Sequence, residues 1–279
     1  MYCHIDILSK ILSCDILIWS SRVFKKKIME KNPKDYLILA LDVDTMEEAQ
    51  SLVRELKDYV SEFKVGLQLY TSVGPDVFKM IHDEGSRVFF DGKFHDIPNT
   101  VAKAGANLVQ KGVNIFTVHI KGGSKMISST VKLARETAKK LELERPKILG
   151  VSILTSFGQR TLTEEIKVNL NIDDYALELS KIAKDSGLDG VLSASSDVAS
   201  IKQACGDDFI CICPAARPTW SVVNDQVRVI TPGNAVKAGF DKIIIGRPIT
   251  SSPDRTQSAQ LILDEIEAPL LMQDEERFI

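Results

Sequence analysis

A chain of 279 residues, 44% hydrophobic and 26% charged, has the ordinary balance of a globular protein and enough apolar material for a full-sized core. Its formal net charge of −3 gives no reason to expect nucleic acid or an anionic membrane as partner, so a bound anion must be held by a few local groups. The cysteines Cys3, Cys14, Cys205, Cys211 and Cys213 show neither metal-ligand spacing nor an even disulfide framework, which fits a reducing cytoplasm.

Residues 1–35 read as an N-terminal extension. Ile5 to Trp19 is apolar but interrupted by Asp6, Lys10 and Asp15, a poor membrane span. The basic cluster Arg22, Lys25, Lys26 and Lys27 follows the apolar part, whereas a secretory signal places its charge first. The favoured reading takes Met29 as the natural start, the alternative being an anchor of reversed order.

From Tyr36 onward, short β-rich runs alternate with helical stretches. Strands are predicted at Tyr36–Leu41, Glu62–Val65, Arg87–Asp91, Ile115–His119, Ile148–Ile153, Gly190–Ser193, Phe209–Cys213 and Lys242–Ile245. These are continuous apolar runs more than alternating ones, as parallel strands covered on both faces require. Between them, Thr45 is placed to cap a helix over Met46–Tyr59, and Thr231-Pro232 forms an N-cap and N1 pair opening a helix to Ala238. Gly85, Gly112, Gly187 and Gly239 sit where a left-handed residue ends a helix before the next strand. Eight β–α alternations in this length predict a single α/β domain over 36–279, a closed (β/α)8 TIM barrel of the phosphate-binding type.

In such a barrel, chemistry sits at the C-terminal strand ends. The third predicted strand runs into Asp91-Gly92-Lys93-Phe94-His95-Asp96-Ile97-Pro98-Asn99-Thr100. Residues two apart on a strand point the same way, so Asp91 and Lys93 are expected to project together into the barrel mouth. The second strand brings Lys64 beside them and the first ends at Asp42. Charges of alternating sign converge there, costly to desolvate unless they pair with one another or with a ligand. An ion-pair plug is the bland alternative, but a plug has no use for a glycine-bearing phosphate cup on the opposite rim. That cup is read from Gly246-Arg247-Pro248 after the eighth strand and from Arg217 and Asp225-Gln226 after the seventh. Of the histidines, His95 is expected to pack, His119 to stand behind the residues that line the site and His82 to be solvated. No His, Cys or carboxylate cluster has convincing metal spacing.

Asp91-x-Lys93-x-x-Asp96-Ile97-Pro98-Asn99-Thr100 resembles the signature of the orotidine 5'-phosphate decarboxylase family. It occurs with Leu39-Ala40-Leu41-Asp42, Lys64-Val65-Gly66, Val118-His119, Leu154-Thr155-Ser156, Asp225-Gln226 and Gly246-Arg247-Pro248-Ile249-Thr250, in the family's order. The resemblance implies a cofactor-independent, metal-free enzyme of the cytoplasm that makes UMP and CO2 from orotidine 5'-phosphate, the last step of de novo pyrimidine synthesis. By analogy, Asp42, Lys64, Asp91, Lys93 and Asp96 form the charged network, and Lys93 is the proton donor to C6. Thr155 or Ser156 meets the pyrimidine, while Arg217, Gln226, Gly246 and Arg247 hold the phosphate. The family further implies a homodimer in which Asp96 and Thr100, four residues apart at the start of a helix, are shared across the interface.

Two departures stand out. Gly92 replaces a residue that is more often bulky and apolar, which predicts a looser strand end. Pro214-Ala215-Ala216-Arg217 replaces the more usual Pro-Gly-Ile-Arg, and a Cβ at Ala215 clashes if the backbone there needs a positive φ. The nearest rival reading is a metal-dependent sugar-phosphate decarboxylase or aldolase of the same superfamily, which shares Asp-x-Lys-x-x-Asp. Lys64 stands where such a metal site favours Glu, and Ile97-Pro98-Asn99-Thr100 continues in the orotidine manner. A catalytically silent nucleotide-binding barrel is a rival of another class, weighed against by the presence of every charged position.

Overall fold

Eight parallel strands follow one another around a closed barrel in sequence order, and the first pairs with the last. The structure is a computed structural model that describes residues 32–193, 198–214, 216–221 and 230–276, with side chains described to residue 272. In chain order the elements are β1 (Leu37–Ala40), α1 (Met46–Leu56), β2 (Glu62–Val65), α2 (Leu67–Val73), α3 (Asp76–Asp83), β3 (Val88–Phe94), α4 (Pro98–Gln110), β4 (Ile115–His119) and α5 (Ser124–Lys140). They continue with β5 (Lys147–Val151), α6 (Ile172–Asp185), β6 (Gly190–Leu192), α7 (Val198–Cys205), β7 (Ile210–Cys213), α8 (Pro232–Ala238), β8 (Lys242–Ile245), α9 (Arg247–Thr250) and α10 (Arg255–Glu276). The predicted extension lies almost wholly outside the described residues.

Local chemistry accounts for these boundaries. Thr45 accepts a hydrogen bond from the Glu48 backbone N–H, and the helix it caps buries Ala49, Leu52, Val53 and Leu56, a single face at helical spacing. That helix stops at Leu56, short of the predicted Tyr59. Thr231 caps α8 through the Asn234 N–H with Pro232 at N1, as predicted. Gly85, Gly112, Gly187 and Gly239 all have φ between 70° and 97°. Because the strands alternate, one set of apolar side chains (Ile38, Phe89, Ile115, Leu149, Val151, Leu192, Ile212 and Ile244) packs inside the barrel. The larger set lies between strands and helices, and it includes Cys211 and Cys213 on one face of β7.

An ion-pair plug does exist, at the end of the barrel away from the strand C-termini. Glu62 opens β2 and Lys242 opens β8; the buried Glu62 carboxylate receives Lys242 Nζ at 2.8 Å and Arg87 Nε at 3.7 Å. Nearby, Arg145 makes a two-pronged bond to Asp189 at 2.6 and 2.9 Å, which raises the guanidinium pKa.

Candidate active site

At the C-terminal mouth the inward positions turn from apolar to charged. Asp42 follows β1, Lys64 lies on β2, and Asp91 and Lys93 lie on β3. Lys64 Nζ is 3.3 Å from Asp42 Oδ1 and 4.0 Å from Asp91 Oδ2, while Lys93 Nζ is 2.7 Å from that same Asp91 oxygen. The result is a row of alternating sign. Lys64 and Asp91 are buried, and each has an opposite charge beside it, which offsets desolvation that an isolated ion could not bear. Asp91 Oδ1 also accepts a 2.9 Å hydrogen bond from the hydroxyl of Thr117, a fully buried β4 residue.

Asp91 and Lys93 meet by a different route from simple alternation. The pairing of β3 with β4 slips between Phe90 and Phe94, so Asp91-Gly92-Lys93 forms a bulged segment. Lys93 has a φ of 47°, a left-handed conformation costing on the order of 1–3 kcal/mol for a non-glycine residue. Its backbone N–H donates to Thr117 Oγ1 at 2.9 Å. Gly92 does not leave the strand end loose, as its sequence predicted. A Cβ there would stand 2.5 Å from the Phe90 ring, which fills the space and packs on Tyr70, Phe78 and Phe94 with centroids 4.8, 5.3 and 5.7 Å away.

The opposite rim carries two arginines, Arg217 and Arg247. Gly246 precedes α9, where an added Cβ would press on Ala40 Cβ at 3.3 Å, and Arg247 begins the helix. Arg217 is buried; its backbone N–H bonds Ile230 O at 2.9 Å, beside a short parallel bridge between Ala216 and Ile230. A cavity of about 240 Å³ joins the two rims and is lined by Asp42, Lys64, Asp91, Lys93, Thr155, Arg217, Gly246 and Arg247. Ala40, Val151, Ile153, Leu154, Leu192 and Ile244 give it an apolar wall.

Eight of the residues singled out from the sequence therefore share one cavity. Thr155 lines it, whereas Ser156 is exposed and does not. Asp96 and Thr100 do not reach it within this chain. Asp96 lies two residues before α4, its carboxylate accepting the Ile97 N–H at 2.6 Å, and Thr100 is in the first turn, so they do not share a helix face as expected. Both are exposed. Gln226 and Ala215 lie outside the described residues. His95 does not pack inside but is exposed and stacks on His119 at 5.3 Å. Burial, helped by Lys121, His95 and Lys93, pushes the His119 pKa down to about 4. His82 is half-buried rather than solvated, its Nδ1 3.2 Å from Ser86 O. Sequence reasoning missed Thr117 and the apolar wall, although alternation from Ile115 puts residue 117 on the inward face of β4.

The protein-family model described as "Orotidine 5'-phosphate decarboxylase / HUMPS family" matches residues 35–262. The chain belongs to that family. Among curated members, it is 45% identical over 234 residues to the orotidine 5'-phosphate decarboxylase of Syntrophotalea carbinolica, covering 84% of this chain and 96% of the relative. It is 40% identical over 233 residues to that of Heliobacterium modesticaldum, again covering 84% and 96%. The crystal structure of orotidine 5'-phosphate decarboxylase from Lactobacillus acidophilus is similar with a TM-score of 0.73 and 34% identity, covering 83% of this chain and 99% of that one. For this decarboxylase family member, the matched residues 35–262 include both the β3 end and the α9 rim.

Proposed function

We propose that this chain decarboxylates orotidine 5'-phosphate to UMP and CO2, with neither metal nor organic cofactor. The observation that carries the reading is one cavity in which an Asp42–Lys64–Asp91–Lys93 row faces Arg217, Gly246 and Arg247. In this reading Arg217, Gln226, Gly246 and Arg247 hold the phosphate and Thr155 meets the pyrimidine. Asp91 lies against the departing carboxylate. As the C6–carboxylate bond breaks, its electron pair stays on C6, and the Lys93 ammonium stabilises it and donates a proton there. Two charges ~4 Å apart interact by about 4 kcal/mol at an effective dielectric near 20, well short of the ~8–23 kcal/mol of a typical enzymatic acceleration. Binding of the remote phosphate and preorganised charge must supply the rest.

The metal-dependent sugar-phosphate reading has less support. Lys64 occupies the β2 position that a metal site would give to a carboxylate, and among the described residues no group of three or more His, Cys, Asp or Glu is placed to hold a metal ion. The assay is direct: loss of orotidine 5'-phosphate followed by ultraviolet absorbance, with and without EDTA. Turnover that survives chelation is expected; loss on EDTA and recovery with magnesium would favour the rival.

The proposed assembly is a homodimer in which each site borrows Asp96 and Thr100 from its partner. What supports it is that both residues are exposed here, on either side of Ile97, a large apolar side chain left 66% exposed. A cytoplasmic setting is proposed with it, in keeping with a chain whose described helices include none long and apolar enough to cross a membrane.

A further inference from the structure

We propose that Thr117 is a positioning residue that sets Asp91 and Lys93 in their working geometry, an inference that rests on the decarboxylase reading above. Thr117 does not line the cavity and has no exposed surface, so it does not touch substrate. Its hydroxyl nevertheless joins the two groups given the chemistry. Oγ1 donates its one proton to Asp91 Oδ1 at 2.9 Å and accepts the Lys93 backbone N–H at 2.9 Å. Because a hydroxyl has a single proton, accepting from Lys93 N leaves that proton for the carboxylate, and the direction of the relay is fixed.

Each bond adds a constraint on one of the two groups, beyond the ion pairs between them. The Asp91 carboxylate has its second oxygen against Lys93 Nζ at 2.7 Å; Thr117 holds the first, so the carboxylate plane cannot rotate about its Cβ–Cγ bond. Lys93 sits at a φ of 47° in a segment where the β3–β4 pairing slips, so the regular ladder does not hold its N–H. The Thr117 oxygen takes the place of the missing ladder acceptor. Without it, the buried-side N–H loses its partner and the left-handed backbone loses the contact that offsets its strain. The Lys93 side chain would then start from a different backbone direction, and displacements on the order of 1 Å at a reacting group can cost about a hundredfold in rate.

Thr117→Val keeps the branched shape and removes the hydroxyl, and Thr117→Ser keeps the hydroxyl and removes the methyl. The measurement is kcat and KM for orotidine 5'-phosphate and the Kd for UMP in wild type and both variants. The expected result is a fall in kcat of roughly tenfold or more in Thr117→Val with the Kd for UMP nearly unchanged, and near-wild-type kcat in Thr117→Ser. Should Thr117→Val not fold, Thr117→Ala removes the same hydroxyl with less apolar bulk against Asp91 and takes its place. Wild-type kcat in the variant lacking the hydroxyl overturns the proposal. So does a parallel loss of kcat and UMP affinity, which marks a residue that merely supports the fold, or a serine variant as slow as the valine one. An inactive wild-type protein would instead overturn the decarboxylase reading itself, and this inference with it.

Discussion

Arg247 and Lys93 line the same cavity from opposite rims, and their side chains are assigned different work. If Arg247 holds the phosphate, Arg247→Ala removes charge-assisted hydrogen bonds that substrate and product share. The KM for substrate and the Kd for UMP should then rise together by about 10- to 100-fold. A variant that turns over more slowly with neither affinity changed would show that the phosphate sits elsewhere. His119 offers a test of a different kind. Burial, with Lys121, His95 and Lys93 nearby, holds its pKa at about 4, below the ordinary 6.5. A group depressed in this way takes up its proton later in the folded chain than in the unfolded one. Stability should therefore be full above about pH 6.5 and decline as the pH falls from there toward 4, where the difference is used up. Thermal melts of wild type and His119→Asn between pH 7 and 4.5 check this, the variant showing the shallower decline. Equal slopes would remove His119 from the account.

At the scale of elements, the end of β3 is the part most dependent on its particular residues. The Phe90 ring occupies the volume beside Gly92 and is itself held by Tyr70, Phe78 and Phe94. Gly92→Leu should accordingly overpack the segment and destabilise the chain by about 1–3 kcal/mol, and Phe90→Leu in the same chain should recover part of the loss. Denaturant midpoints at constant m-value measure both; an unperturbed Gly92→Leu midpoint would mean that the ring moves aside freely. The same element shows how far the sequence could be read. Strand positions, the Thr45 and Thr231 caps and the glycine helix ends followed from local rules and needed no tertiary information. The convergence of Asp91 and Lys93 was legible too, but the bulge that produces it was not, because a register slip depends on what β4 offers opposite. Thr117 escaped notice for that reason. A threonine in a β-rich run reads as an ordinary strand former until its hydroxyl is seen between two charged neighbours. The seating of Phe90 over Gly92 was likewise invisible, since it arises from aromatic residues on three separate elements.

For the whole molecule, the closed barrel fixes the charged row and the cationic rim across a single cavity, while Asp96 and Thr100 stay on the outside of the chain. A two-fold contact would return these residues to a site, each subunit giving what it receives. Two inactive variants, Lys93→Ala and Asp96→Ala, mixed under conditions of subunit exchange, put both lesions into one site of each mixed dimer and leave the other intact. With random reassortment, about a quarter of all sites should regain wild-type activity. No recovery, with exchange shown independently, would mean that Asp96 acts within its own subunit.

The division of labour across the cavity can be read by following decarboxylation and UMP binding in the same preparation of Lys93→Ala. Decarboxylation should be abolished while UMP binds with an affinity close to that of the wild type, because the groups assigned to the phosphate lie on the opposite rim. Near-normal turnover in Lys93→Ala would contradict it, since a proton donor other than Lys93 would then be serving C6.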